Sequence, residues 1–166
     1  LAGEKRLNPP SFKQAANMVS HWAVYLAVQH ERYWAEAGRT FILTNDAKLH
    51  GTYARAQEVV AAMARQLKPN RATADIDDIA RRELGEFYAP ASVYGLANGI
   101  GLNQWEAPFL NEDDARQVGA HSVGATRLNE NMTLALRVVI ESEEKIVLYG
   151  DSFQVTAGGA KTLVGA

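Results

Sequence analysis

Residues 94–110, YGLANGIGLNQWEAPFL, are the stretch that decides the fold of this 166-residue chain. Glycines at positions 95, 99 and 101 divide the stretch into short apolar pieces, and Pro108 closes it. A glycine inside a strand pattern marks a bulge or a close approach of two backbones, and proline does not continue a central strand. The pattern therefore predicts two short strands, over residues 93–101 and 102–106.

Longer elements are predicted on both sides of this stretch. Residues 21–30 and 33–43 are rich in β-branched and aromatic side chains, and the short link between them predicts a hairpin. Two helices follow, the first capped by Asn45 or Thr44 and the second starting near Thr73 or Asp75. Three further strands are predicted, over residues 132–141, 145–156 and 161–164. This order indicates an α+β protein with two main helices on one face of a curved, mostly antiparallel sheet.

Composition excludes several classes of function. The formal net charge is −2, so no basic field favours nucleic acid or an anionic membrane surface. The absence of cysteine excludes disulfides and thiolate metal sites. No apolar run approaches the ~20 residues that span a bilayer, and residues 1–12 lack the apolar centre of a signal peptide. We therefore expect a cytoplasmic protein with an irregular lead-in over residues 1–19 and one domain over residues 20–166.

Three segments of the chain resemble segments of a known protein family and occur in the same order. Residues 94–110 resemble the GHGIGL…HEPP segment of the pita-bread metallopeptidases and creatinases of the M24 type. Residues 24–41, VYLAVQHERYWAEAGRTF, resemble the strand pair that carries that family's aspartates. Residues 131–136 and 150–163 resemble its closing hairpin. The resemblance covers about residues 24–163 and implies the second half of a pita-bread catalytic domain.

The resemblance also implies that the metal ligands are lost. The family binds two metal ions with two aspartates, one histidine and two glutamates. Carried over by position, these ligands fall on Tyr25, Glu36, Asn98, Arg137 and Gly150. Only Glu36 keeps a carboxylate, and Arg137 would put a cation where a metal would lie, although a gap in the alignment would bring Glu141 to this position instead. We therefore expect neither a dinuclear metal site nor a cofactor.

The predicted ligand-binding residues are Tyr25, Asn98, Trp105 and Arg137, with Trp105 at the position of the family's second histidine. Arg137 and Glu36 are expected to face one another across the former metal pocket. Arg137 would then grip a ligand carboxylate while Glu36 orients an amine, or the two would form a structural ion pair. Tyr25 and Trp105 would form an aromatic wall for a small ligand, or would simply pack.

The candidate catalytic residues are Glu36, Glu106 and His121. Glu106 would act as a general acid or base only if it is buried. His121 lies in the glycine-flanked stretch GAHSVGATR, where a proton-transfer residue is plausible. The acidic pairs at 77–78 and 113–114 are interpreted as first-turn helix charges or solvated loop residues.

These observations favour a metal-free, degenerate peptidase-like subunit that is structural or binds a small ligand within a larger assembly. Two alternatives stay open: a hydrolase of a small C–N substrate whose site is shared with a partner chain, and a divergent metal-dependent aminopeptidase or proline dipeptidase. The expected partner is another chain that supplies the first half of the fold, a cleaved N-terminal piece, or a second copy. A small ligand with a carboxylate is expected, and neither nucleic acid nor a membrane is.

Overall fold

The computed structural model describes residues 20–116, 119, 126–142 and 145–164 of the chain. Its centre is a seven-stranded sheet in the order β1-β2-β6-β5-β3-β4, with β7 paired to β6. Every strand pairing is antiparallel. The strands are β1 (His21–His30), β2 (Tyr33–Ile42), β3 (Ala97–Gly99), β4 (Glu106–Phe109), β5 (Thr133–Ser142), β6 (Lys145–Thr156) and β7 (Gly159–Thr162).

Two main helices lie between β2 and β3 in the chain. They are α1 (Ala47–Ala64) and α2 (Thr73–Leu84), followed by a 3-10 turn (Gly85–Phe87) and the short helices α3 (Tyr88–Ser92) and α4 (Glu112–Arg116). The expected cap of α1 was wrong by one or two residues. The side chain of Asp46 accepts the Leu49 N–H at 3.1 Å, because a carboxylate at this position reaches an N–H of the first turn. α2 begins at Thr73, as predicted.

The main core lies between the helices and one face of the sheet, which we call the helix face. Alternate residues of β5, from Leu134 to Ile140, pack there against side chains of α1 such as Val60 and Met63. The opposite face, called the far face, carries a smaller cluster of Ala23, Val139, Ile146 and Leu148. The predicted α+β architecture with two main helices on one face is therefore confirmed.

The hairpin of β1 and β2 pairs in full register, from His21 opposite Ile42 to His30 opposite Tyr33. Its two-residue turn has positive φ at both Glu31 and Arg32, which is the backbone form such turns require even without the usual Asn-Gly pair. The hairpin extends beyond the helix layer. As a result Leu26 and Val28, which alternate with Ala23 and Tyr25 of the far face, are each more than half exposed.

An unusual seam joins this hairpin to the rest of the sheet. Gly38 and Gly150 form the only residue pair between β2 and β6 in the described part of the chain. On either side of it a hydroxyl replaces the backbone pairing. The Thr40 hydroxyl accepts the Leu148 N–H at 2.8 Å and donates to the Leu148 carbonyl, while the Ser152 hydroxyl bridges the N–H and carbonyl of Glu36 in the same way.

Strands β3 and β4 differ from the predicted short strands at residues 93–101 and 102–106. The register shifts between Asn98 and Gly99, where the two strands come close. A Cβ at Gly99 would lie 2.3 Å from the Ala107 carbonyl oxygen, so this approach requires glycine. The remaining residues form a loop. Among the described helices, none has the length and apolar character needed to cross a bilayer.

Candidate functional site

Five of the predicted site residues meet on the far face of the sheet. Tyr25 comes from β1, Glu36 from β2, Asn98 from β3 and Arg137 from β5, while Trp105 comes from the loop before β4. We call these five residues the Arg137 cluster. Residues that are more than a hundred positions apart meet here because β5 and β2 both pair with β6.

Arg137 holds the cluster together. Its Nη1 donates to Glu36 Oε2 at 2.9 Å, and its Nη2 donates to Asn98 Oδ1 at 2.7 Å. The guanidinium carbon lies 4.1 Å from the ring centroid of Trp105, which places the cation against an aromatic face. The side chains of Arg137 and Glu36 are only 5% and 3% exposed. The ion pair is therefore buried, and each charge depends on the other.

The partners of Arg137 are themselves held by the backbone. Asn98 Nδ2 donates to the carbonyl of Gly99 at 2.7 Å and to that of Gln104 at 3.0 Å, which ties the loop bearing Trp105 to β3. The backbone of Glu36 is fixed on both sides by the Ser152 hydroxyl. The geometry of the cluster is therefore set by the sheet.

Two buried polar atoms of the cluster have no hydrogen-bond partner: Glu36 Oε1 and the Tyr25 hydroxyl. Burial raises the pKa of Tyr25, with the Arg137 charge opposing the rise and the Glu36 carboxylate adding to it. Glu36 and Gln104 lie close enough to the hydroxyl to influence this pKa, yet neither makes a hydrogen bond of acceptable geometry with it. The phenol is therefore in its neutral form at physiological pH.

Asp114 is a supporting residue that the sequence interpretation missed. It was interpreted as a first-turn helix charge or a solvated loop residue; it does lie in the first turn of α4, but its side chain is completely buried. Its carboxylate accepts the N–H of Leu96 at 2.7 Å and that of Ala97 at 3.3 Å, and so holds the strand that carries Asn98. Burial raises the pKa of Asp114 to about 6. Its neighbour Asp113 is half-exposed, and nothing in the sequence distinguishes the two.

Of the other predicted catalytic residues, Glu106 is not brought into the Arg137 cluster. The half-buried Glu106 turns its carboxylate back onto its own loop, where Oε2 accepts the Asn103 N–H at 3.1 Å. His121 lies outside the described residues. Glu141, the alternative to Arg137, has its carboxylate bonded to the Tyr94 hydroxyl.

The donor set does not fit a dinuclear metal centre. Hard divalent ions require several anionic oxygen ligands, with carboxylates that bridge both ions. Among the residues that the structure describes, no three histidine, cysteine or acidic side chains form a group suited to a metal. Glu36 is the only carboxylate in the Arg137 cluster, and a guanidinium contacts it. Gly150, opposite Arg137 on β6, offers no side chain.

The profile of metallopeptidase family M24 matches residues 22–157 of the sequence. The chain belongs to this family. The match covers all five residues of the Arg137 cluster, so the M24 resemblance of the three sequence segments is confirmed. A comparison with curated protein sequences finds no match.

Solved structures show the same fold as this M24 chain. Prolidase from Pyrococcus furiosus matches with a TM-score of 0.74 and 23% identity, over 88% of this chain and 41% of that one. A dipeptidase from Pyrococcus horikoshii OT3 matches with a TM-score of 0.74 and 19% identity, over 88% and 39%. Methionine aminopeptidase from Thermotoga maritima matches with a TM-score of 0.66 and 15% identity, over 87% and 63%. The M24 chain thus spans about two fifths of the length of the prolidase and the dipeptidase.

Proposed function

We propose that this M24 chain is a metal-free, degenerate relative of the peptidases, acting as a structural or small-ligand-binding subunit within an assembly. The observation that carries the proposal is the position of Arg137. Its guanidinium contacts Glu36 and Asn98, two positions that the resemblance assigns to metal ligands. A fixed cation 2.9 Å from the only carboxylate of the cluster opposes the binding of a second cation there.

The contacts of Arg137 also favour one of the two interpretations of its pairing with Glu36. Gripping a ligand carboxylate requires free guanidinium donors facing the ligand. Here both terminal nitrogens are used within the protein and the side chain is 5% exposed. The structural ion pair therefore explains the geometry better than a carboxylate receptor does.

Metal content tests this proposal. The chain is expressed in medium supplemented with manganese, cobalt and zinc, and its metals are measured by elemental analysis after gel filtration. We expect far less than one ion per chain and no change in Tm on adding Mn²⁺. Stoichiometric metal would instead support the divergent aminopeptidase or proline dipeptidase.

The variant Arg137→Glu supplies a matched comparison. It replaces the cation by a carboxylate beside Glu36 and Asn98, which creates a set of oxygen ligands. We expect its Tm to fall without metal, because two buried carboxylates repel one another, and to recover in part with Mn²⁺. An equal response of wild type and variant to Mn²⁺ would contradict the proposed role of Arg137.

We further propose that a separate chain resembling the first half of the fold covers the hairpin. Leu26 and Val28, which we call the apolar strip, are 58% and 59% exposed on the face that α1 covers elsewhere in the sheet. The strand β1 carries no Lys, Arg, Asp or Glu that would discourage pairing at its outer edge. An amphipathic helical layer matches such a surface.

Sedimentation velocity of the purified chain tests the partner proposal. We expect concentration-dependent association without a closed stoichiometry, because the surface is complementary to a different chain. A stable monomer at all concentrations would rule out the need for a cover, and a discrete dimer would identify a second copy as the occupant.

A further inference from the structure

The helix face of the sheet carries an open groove that the Arg137 cluster does not use. It lies between α1 and the strands β6 and β7, and its volume is about 560 Å³. Pockets that hold small molecules usually have volumes of about 300–1,000 Å³. Its lining residues on α1 recur three or four positions apart from Gln57 to Ala64, so the groove follows one side of the helix for about 10 Å. The groove therefore has room for a small elongated molecule.

Small residues opposite α1 keep the groove open. Gly158, Gly159 and Ala160 line it where β6 turns into β7. Gly159 has a φ of +119°, a backbone form that favours glycine, and the Thr156 hydroxyl donates to its carbonyl at 2.6 Å. Because this turn is bonded to itself, the wall of the groove has a defined shape.

The floor of the groove is apolar. It is lined by Val60, Ala64 and Phe153, which belong to the main core and are 1%, 8% and 7% exposed. A hydrocarbon group that lies on these side chains is removed from water, which is favourable in proportion to the apolar area covered.

Two cations line the same groove. Arg65 and Lys68 follow the last residue of α1, and both are exposed. A cation after the end of a helix interacts favourably with the helix dipole. This interaction does not use the side-chain donors, and within the described ranges of the chain neither side chain has a hydrogen-bond or ion-pair partner. The two cations therefore have donors available for an anion.

The acidic residue in the lining does not cancel this charge. The carboxylate of Asp151 is 2.7 Å from Arg39 Nη2, and its other oxygen accepts the Tyr149 hydroxyl at 2.9 Å. Asp151 is thus neutralised by a cation of its own. The groove combines an apolar floor with an uncompensated positive charge at one end.

We propose that this groove binds a small amphiphilic monocarboxylate. The carboxylate accepts from the Arg65 guanidinium and the Lys68 ammonium, and the hydrocarbon part lies on the apolar floor. This site is on the opposite face of the sheet from the Arg137 cluster, and the inference goes beyond the proposed loss of metal. It gives the carboxylate ligand expected from the sequence a place other than Arg137, whose terminal nitrogens are used within the protein.

Binding of simple eight-carbon probes tests the proposal. Octanoate is titrated into the ¹⁵N-labelled protein in the state in which it purifies, and the amide shifts of residues 61, 65 and 160 are followed by NMR. Octan-1-ol, octylamine and acetate serve as comparisons. We expect saturable shifts with octanoate and at least tenfold weaker binding of the others. Octan-1-ol lacks the charge, octylamine carries the opposite charge, and acetate lacks the hydrocarbon chain.

A charge-removing variant tests the role of the two cations. Arg65→Gln/Lys68→Gln is expected to weaken octanoate binding at least tenfold. Lys161→Gln is the matched control, because Lys161 is an exposed lysine that lies between two lining residues of β7 and therefore points to the other face of the strand. It is expected to leave binding unchanged.

A second variant blocks the groove. Ala61 is an exposed residue of α1 that lines the groove, so Ala61→Trp fills the space without disturbing the core and is expected to abolish octanoate binding. Ala54→Trp, at an exposed position of the same helix outside the lining, is expected to have no effect.

Several results would overturn the proposal. These are the absence of saturable shifts with octanoate, equal binding of octan-1-ol or octylamine, and normal binding by the charge-removing variant or by Ala61→Trp. Failure of octanoate to bind would leave the proposed loss of metal standing, because that proposal concerns the far face and is tested by metal content.

Discussion

Arg137 is a buried cation that depends on one carboxylate. Replacing Glu36 by Gln or Arg137 by Met removes one member of the pair and leaves the other charge buried, which typically costs about 3–5 kcal/mol. We expect each single variant to lose that much free energy of unfolding in urea denaturation. The double variant Glu36→Gln/Arg137→Met is expected to be more stable than either single variant, because no charge is left unpaired.

The control for this prediction is an exposed ion pair of the same type. Arg116 bonds Glu112 at 2.8 Å on the surface of α4, where such pairs contribute little. Arg116→Met should therefore change the free energy of unfolding by less than about 1 kcal/mol. Additive losses in the double variant of the buried pair would show that the two charges do not depend on each other.

Asp114 gives the protein a specific pH dependence. Its pKa of about 6 in the folded protein exceeds the usual 3.8, so the folded state holds this proton more tightly than the unfolded state. The contribution of Asp114 to the free energy of unfolding is fully present below pH about 4 and is lost as the pH rises through 6. At ~1.4 kcal/mol for each tenfold change in proton affinity, the loss is about 3 kcal/mol.

Asp114→Asn should remove this part of the pH profile. We expect the free energy of unfolding of the variant, measured in urea between pH 4 and 7, to fall less steeply with rising pH than that of the wild type. Asp113→Asn, next to it and half-exposed, should leave the profile unchanged. Identical profiles of Asp114→Asn and the wild type would mean that Asp114 titrates normally.

The residues of the site were predictable to different degrees. Position in the family pattern was enough to select Tyr25, Glu36, Asn98, Trp105 and Arg137, and the structure brings these five together. The sequence did not decide whether Arg137 grips a ligand carboxylate or forms a structural ion pair. The answer depends on where Asn98 Oδ1 and the Trp105 ring lie. Asp114 was missed since its neighbours in sequence look like solvent-facing helix charges.

At the level of elements, the seam between β2 and β6 depends on side chains. The hydroxyls of Thr40 and Ser152 each satisfy one N–H and one carbonyl that would otherwise pair with backbone. Thr40→Val and Ser152→Ala leave these groups unsatisfied. We expect a loss of about 1–3 kcal/mol for each variant and faster hydrogen exchange at the amides of Leu148 and Glu36, respectively.

Thr162→Val, on the exposed part of β7, is the matched control for Thr40→Val and should leave both amides protected. Unchanged exchange at Leu148 in Thr40→Val would show that the strands pair without the hydroxyl. No sequence pattern indicates this seam, because a threonine or serine that bridges two strands looks like any other strand residue.

Some element boundaries were predictable from the sequence and others were not. The long strands and the start of the helix α2 were predicted within a residue or two, because periodic apolar side chains mark them. β3 and β4 were misplaced. Their ends depend on the register shift at Gly99 and on the approach of the Ala107 carbonyl, and both of these are contacts between segments.

At the scale of the whole molecule, the fold could be predicted because three separate segments keep their family order. The proposed assembly could not be predicted in the same way, because the order of the segments does not say what covers the apolar strip. Replacing Leu26 and Val28 by Thr keeps β propensity while making the strip polar. We expect the double variant to be more soluble and to sediment closer to a monomer than the wild type.

Val93→Thr is the comparison for this prediction, since Val93 is 70% exposed and follows α3 instead of belonging to the hairpin. It should leave self-association unchanged. Equal sedimentation of the double variant and the wild type would show that the association uses another surface.

The opposition of Gly150 and Arg137 has a consequence for the proposed loss of metal. A Cβ added at position 150 would lie 2.9 Å from the Cβ of Arg137 and 2.9 Å from the Leu136 carbonyl oxygen. Placing an acidic residue there, where the resemblance places the family's last glutamate, therefore requires the neighbouring strand to move first. Under the proposed loss of metal, a single substitution at Gly150 does not recreate a metal-binding pocket, because the backbone around it must shift as well.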